Sequence, residues 1–277
     1  MIKRIAVDLN KASYNPNLLE FAVSMASKTD GTILGLVTID VGRIEKSIGS
    51  VPLGGMYYAE KNIEFRVKEA EEKANLTLKE FQQFCTTRKV KHRSILRRED
   101  PLVSFTEEGK TADVIVTGVR AYGSVKRRKD YDTLNKLLKV SSCPILAIPE
   151  GFVPFKQVLV AYDGSPASSK ALKAYAQLAG CFPDVERLIV INVNDEEETG
   201  REIVAPALDY LEAYGFCPEV YVLDGDPKEV IHKKAREMQA PLIVLGSFGE
   251  SFIKDLIWGS TTSYFIEAEK FPLLIYY

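Results

Sequence analysis

The feature that most constrains this chain is internal repetition. Residues 2–8 read IKRIAVD and residues 156–163 read KQVLVAYD, each a β-rich run ending in an aspartate before a polar turn. Asp8 and Asp163 are 155 residues apart. Residues 112–118 (ADVIVTG) match 240–246 (APLIVLG), and 143–149 (CPILAIP) match 271–277 (FPLLIYY), both at a spacing of 128. The difference of 27 places an insertion in the first half, between about residues 40 and 66. A linker with two prolines and a glycine, PEGFVPF at 149–155, separates units at 1–150 and 155–277. Each is long enough to enclose one core.

Periodicity gives each unit the same plan. In the second, short apolar runs predict strands at 158–162, 188–193, 218–222, 242–245 and 273–276. Helices are expected at 165–178, 204–213 and 227–238, the first with a stripe of Ala171, Leu172, Tyr175 and Leu178 and the last opening on a proline. The first unit predicts strands at 4–7, 33–39, 91–96, 114–117 and 145–148, with helices at 16–28, 62–86, 101–111 and 131–141. Alternating strands and helices specify an α/β fold whose largely parallel sheets are covered on both faces. The insertion GSVPLGGMYYAEKN at 49–62 is glycine-rich and partly apolar, and reads as a flap, a partner surface or a plain loop.

Composition narrows the function classes. The chain is 46% hydrophobic and 27% charged, with net charge −2 and pI about 5.9. That balance gives no overall attraction to nucleic acid or anionic membrane. No apolar run approaches the ~20 residues of a membrane span, and MIKRIAVDLN lacks the apolar stretch of a signal peptide. A cytoplasmic location is expected. Cys85, Cys143, Cys181 and Cys217 are widely spaced, without a CxxC, and His92 and His232 are far apart. Buried free thiols are expected, and no metal site.

The chemistry concentrates in VLGSFGESFIKDLIWGSTTS at 244–263. Gly246 follows a predicted strand, at the sheet edge where α/β proteins bind ligands. Gly246, Gly249 and Gly259 permit tight turns or close backbone approach. Ser260, Thr261, Thr262 and Ser263 open the next helix, where unpaired N–H groups and hydroxyls can cap the helix or meet phosphate oxygens. Asp163 ends the first strand of this half, where it can accept bonds from a ribose or an adenine amine, or cap the helix near Ser165. The segment LDGDP at 223–227 sets Gly225 after the third strand, where main chain can lie along a flat base. The backbone of Val193 can read a base edge.

These residues resemble the universal stress protein family in its ATP-binding branch. Gly246, Gly249, Gly259 and Ser260 keep that family's spacing: glycine, two residues, glycine, nine residues, then glycine and serine. The resemblance covers both halves. It implies two tandem Rossmann-like units of the adenine nucleotide alpha hydrolase-like type, each with a mostly parallel five-stranded sheet. It implies ATP as the cofactor, with Mg2+ as an optional companion. Asp163 would hold the ribose or adenine, Ala161 and Val193 would line the adenine pocket, and Gly225 would lie near the base. Leu245, Gly246, Phe248 and Gly249 would wrap the ribose and phosphates, and Gly259, Ser260 and Thr261 would hold the phosphates. Phe248 stands where the family commonly has histidine or arginine, which removes a charge from the phosphate side.

The first half departs further. Gly118 is followed by Gly123 with four residues between them rather than two, and Tyr131 and Asp132 stand at the glycine and serine positions. REDP at 98–101 lacks the glycine of LDGDP. This half retains Asp8 and adds a basic run, KRRK at 126–129, but is expected to be degenerate for ATP. The lysine-bearing phosphate loop GxxxxGK[ST] is absent from the second half, and no general base faces the cradle. A nucleotide-responsive stress protein is the expected function, with a scaffold that binds no nucleotide or a slow ATPase as alternatives. The resemblance also implies edge pairing through the last strand, here between the two halves as an internal pseudo-dimer, with further homo-oligomeric contact open.

Overall fold

The computed structural model describes residues 2–10, 16–49, 55–119, 131–151, 154–182, 185–239, 241–247 and 260–277. The first half runs β1 (Arg4–Asp8), α1 (Pro16–Thr29), β2 (Thr32–Thr38), α2 (Val41–Lys46), α3 (Met56–Thr87), β3 (Lys91–Arg97), α4 (Pro101–Gly109), β4 (Val114–Gly118), α5 (Tyr131–Val140) and β5 (Ile145–Ile148). The second runs β6 (Gln157–Ala161), α6 (Pro166–Leu178), a 3-10 turn (Ala179–Cys181), β7 (Arg187–Val193), α7 (Glu197–Ala213), β8 (Glu219–Leu223), α8 (Pro227–Glu237), β9 (Leu242–Gly246), α9 (Ser260–Ala268) and β10 (Leu273–Tyr276). The fold is α/β, with a mostly parallel sheet flanked by helices.

All ten strands form one sheet in the order β3-β2-β1-β4-β5-β10-β9-β6-β7-β8. Within each half the neighbours are parallel; β5 and β10 join the halves antiparallel. Leu146 pairs with Leu274, flanked by Ala147 with Leu273 and Ile145 with Ile275. Leu146 and Leu274 occupy the same position in the repeat, so an approximate two-fold axis passes between them. The apolar PLLIYY edge is thereby covered, which a soluble sheet edge requires.

Successive side chains on a strand point to opposite faces, and both faces are buried here. Val7, Val116, Leu146, Val160 and Leu274 face α1, α3, α6 and α7. Ala6, Ile115, Leu159, Ile243 and Ile275 face α4, α5, α8 and α9. A second seam crosses the repeat away from the sheet. Phe21 of α1 lies 5.6 Å from Phe155 of the linker and 6.2 Å from Phe182, ring to ring. Lys28 Nζ donates to the Phe182 carbonyl at 3.2 Å.

The strands fall within one or two residues of their expected bounds, and three helices differ more. α3 begins at Met56 rather than 62, so much of the expected insertion is helix. α2 was not expected; its Asp40 cap accepts from Arg43 N–H at 2.8 Å. α7 begins at Glu197 rather than 204 and contains Pro206. Pro206 is exposed, so the carbonyl that loses its helical partner can meet water. Cys85, Cys143 and Cys181 are buried free thiols, and burial pushes each up to about 11. Cys217 corrects the expectation for the fourth, because its thiol is exposed.

Removing the side chain on the two-fold axis should weaken the whole molecule. Leu274→Ala should lower the unfolding free energy by about 2–5 kcal/mol, the range for deleting a buried leucine. Val140→Ala, on an exposed helix position, should change it by less than about 0.5 kcal/mol. Urea unfolding of both variants checks this.

Candidate functional site

A cleft of about 160 Å³ opens at the carboxyl ends of β6, β7 and β9. Its described lining has apolar walls from Ala161, Ile191, Val193, Ile231 and Leu245, and a polar mouth from Asp163, Ser165, Ser168, Thr261 and Thr262. Tyr162, Pro227 and Gly246 complete it. No lysine or arginine lines it among the described residues.

The local sequence builds the mouth in a few steps. β6 stops where Tyr162 gives way to Asp163 and Gly164, whose φ of +79° suits glycine. Asp163 Oδ1 accepts the Ser165 N–H at 3.0 Å, closing an Asx turn. Ser165 caps α6 by accepting the Ser168 N–H at 3.2 Å, and Pro166 takes the first helical position. Partial burial is the largest influence on the Asp163 carboxyl and works against its charge. Bonds from the Ser165 and Ser168 hydroxyls and the Ser165 amide together outweigh it, so the pKa is lowered. The cleft therefore carries a stabilised negative charge at its rim.

The second wall comes from β9 and α9. A Cβ on Gly246 would lie 2.4 Å from Ser168 N and 2.5 Å from the Ala167 carbonyl carbon. Gly246 is thus required by the first turn of α6 against β9, a packing role the sequence reading did not assign. Thr262 Oγ1 donates to the Gly246 carbonyl at 2.9 Å, tying α9 to β9. The Ser247 N–H donates to the Tyr276 carbonyl at 2.9 Å. These two donors serve the fold. α9 still presents its N-terminal turn at the cleft, with Thr261 in the wall. On the third side, buried Asn192 donates from Nδ2 to the Tyr162 carbonyl at 2.8 Å and fixes the end of β6 against β7.

Of the residues singled out in sequence, Ala161, Asp163, Val193, Leu245, Gly246 and Thr261 meet in this cleft. Ser260 begins α9. Gly225 is not among the lining residues; its φ of +127° serves the turn into α8, which Asp226 caps by accepting the Lys228 N–H at 2.9 Å. Phe248, Gly249 and Gly259 lie outside the described residues, as do Gly123 and the basic run at 126–129. Sequence reasoning missed Ser165, Ser168, Ile191 and Ile231. The signals were present: Ile191 is two residues before Val193 on the same strand face, and Ser165 and Ser168 have capping spacing.

The first half has a different site, and the sheet register corrects its alignment. Val7 pairs with Val116 as Val160 pairs with Val244. The later strands repeat at 128, so Asp8 corresponds to Ala161 rather than to Asp163, and Asn10 takes the place of Asp163. The Leu9 N–H bonds the Leu36 carbonyl as the Tyr162 N–H bonds that of Ile191, which fixes the same assignment. Asp8 is fully buried and accepts from Asn10 N–H at 2.9 Å, Asn10 Nδ2 at 2.7 Å and Thr117 Oγ1 at 3.0 Å. Asn10 Oδ1 accepts from the Thr38 N–H at 3.0 Å and the Thr38 hydroxyl at 3.2 Å. Asp8, Asn10, Thr38 and Thr117 thus bond to one another where the second half has Ala161, Asp163, Val193 and Leu245.

Two outcomes follow for the second-half cleft. Gly246→Ala should destabilise the protein by about 1–3 kcal/mol, because its Cβ would press on backbone rather than on a movable side chain. Chemical unfolding checks this. For Asp163, a lowered folded pKa means stability that is present above the ordinary value of 3.8 and lost as pH falls through the folded pKa. The gap in melting temperature between wild type and Asp163→Asn should therefore narrow from pH 6 to pH 3, as scanning calorimetry would show.

Among the described residues, no helix is long and apolar enough to cross a membrane, and no group of three or more His, Cys, Asp or Glu side chains could hold a metal ion. Residues 1–149 and 192–276 match the model of the universal stress protein family. A universal stress protein of Synechocystis sp. is 23% identical over 287 residues, covering 99% of this chain and all of its own length. One from Mycolicibacterium smegmatis is 28% identical over 204 residues, covering 65% of this chain and 67% of its own. The crystal structure of a universal stress protein from Archaeoglobus fulgidus shares the fold at a TM-score of 0.71 and 22% identity, covering 98% of this chain and 97% of its own. On its repeat, its sheet and these matches, the chain belongs to the universal stress protein family.

Proposed function

We propose that this protein binds one adenine nucleotide, ATP, in the cleft of its second half, and acts as a nucleotide-responsive stress-response protein. Membership in the universal stress protein family supports the stress-response role. The observation that carries the nucleotide reading is the contrast between the two halves. In the first, Asp8, Asn10, Thr38 and Thr117 bond to one another at the edge of the sheet, with Asp8 and Thr117 buried and Asn10 and Thr38 half-buried. In the second, the same positions are apolar or turned to the rim, and a cleft remains.

The residues present fit the parts of the ligand in order. Ala161, Ile191, Val193, Ile231 and Leu245 offer a flat apolar slot for the base. The Asp163 carboxylate already meets the Ser165 amide and the Ser165 and Ser168 hydroxyls, and an ionised carboxylate can accept about four bonds, so capacity remains for a ribose hydroxyl. The first turn of α9 offers backbone N–H groups and a positive dipole end to phosphate. The amides of that turn would hold the phosphates there. Mg2+, when present, would neutralise charge on the phosphate oxygens. ATP bound in this way would join β6, β7 and α9 into one unit, and that coupling would carry the nucleotide's signal.

Calorimetric titration with ATP should give a stoichiometry of one per chain. Asp163→Ala should weaken binding about 10- to 100-fold, from the loss of roughly 1.5–3 kcal/mol of charge-assisted hydrogen bonding. Asp8→Asn should leave the affinity unchanged. Two nucleotides per chain, or an Asp163→Ala protein that binds as tightly as wild type, would overturn the reading.

A further inference from the structure

The insertion that breaks the repeat builds a surface that nucleotide binding does not use. α3 spans 32 residues, or about 48 Å at the usual helical rise, and its buried residues are Ala74, Leu78, Phe81 and Cys85, all in its second half. The first half therefore projects past the sheet, steadied by α2 and by a bond from Arg66 to Ser47 Oγ at 3.0 Å. Helical spacing sets Ala59, Ile63, Val67, Ala70 and Ala74 on the inward face. At 100° per residue, Tyr58, Phe65 and Leu76 fall on the opposite side. They are 76%, 67% and 58% exposed, and Tyr57 beside them is 64% exposed. On this face the exposed apolar side chains alternate with Lys61, Glu69 and Glu72, which on a helix that already has a packed side is the make-up of a partner surface rather than of a core.

We propose that this stripe is the contact between two copies of the chain, with their α3 helices antiparallel about a two-fold axis at Phe65. Three observations select that occupant. First, the stripe is self-complementary in charge only when antiparallel. Centring on Phe65 sets Lys61 across from Glu69 of the second copy, and Tyr58 across from its Glu72, to which the phenol can donate. A parallel pair would instead oppose Glu69 to Glu69 and Glu72 to Glu72, which is repulsive. Second, the area suffices. Aromatic side chains carry 150–250 Å² each, so burying Tyr57, Tyr58, Phe65 and Leu76 removes roughly 500 Å² per copy and about 1,000 Å² in all, where specific interfaces begin. Third, a two-fold contact closes on itself and leaves no second stripe to grow a fibre. The pairing is independent of the nucleotide cleft, which lies in the other half of the sheet.

Sedimentation velocity on the full chain at about 1–100 µM tests this. The wild type should sediment with about twice the 30.9 kDa chain mass. Phe65→Glu should weaken self-association by roughly 30-fold or more, as loss of a central aromatic does. Its circular dichroism should be unchanged, since Phe65 is exposed. Disulfide trapping fixes the geometry. In a Cys217→Ser background, Phe65→Cys should cross-link to its own copy on oxidation, and Leu76→Cys should not. A wild type that stays monomeric at 100 µM, a Phe65→Glu chain as associated as the wild type, or efficient cross-linking through Leu76→Cys would overturn the proposal.

Discussion

Everything in this molecule depends on the antiparallel pairing of β5 with β10. Leu146 against Leu274 joins two parallel half-sheets that would otherwise each expose an apolar edge. The join also fixes which way the strands of each half run. Strands within a half are parallel, and the halves run in opposite directions across the junction. Their carboxyl ends therefore lie on opposite edges of one ten-stranded sheet. Each half keeps its own carboxyl edge, and the two edges are free to diverge without touching one another.

They have diverged by exchanging apolar for polar side chains at matching positions. Ala161 and Leu245 in the second half answer to Asp8 and Thr117 in the first. A buried carboxylate is tolerable only when its lone pairs are met, and Asp8 is met by Asn10 and Thr117. Those bonds tie Asp8, Asn10 and Thr117 to one another. Asn10 also takes the Thr38 amide, whereas Asp163 turns outward to Ser165. The same device, a short polar side chain after the first strand, thus bonds inward to Thr38 at one edge and rims a cleft at the other.

Much of this was legible in the sequence, and the misses have physical causes. The buried strands of a parallel sheet are continuous apolar runs, so ADVIVTG and FPLLIYY announced themselves. The register did not. Aligning Asp8 with Asp163 slips the first strand by two residues, and a slip of two preserves the inward and outward alternation. Only the sheet's own pairing exposes the error. Gly246 was legible as important but not for its reason, because contact with Ser168 is a property of packing and not of spacing. The early start of α7 was hidden because its first turns, EETGRE, are polar and carry a glycine, so no apolar stripe announces them. α3 was cut short because Met56, Tyr57 and Tyr58 follow glycines and offer no side-chain cap.

The central claim is that one edge of this sheet takes an adenine nucleotide and the other is closed by its own side chains. A crystal structure of the protein grown with ATP tests it most directly. The account predicts one nucleotide, with its base among Ala161, Val193 and Leu245, its ribose on Asp163 and its phosphates at the start of α9. Density for a nucleotide beside Asp8, or none at either edge with ATP at saturating concentration, would contradict it.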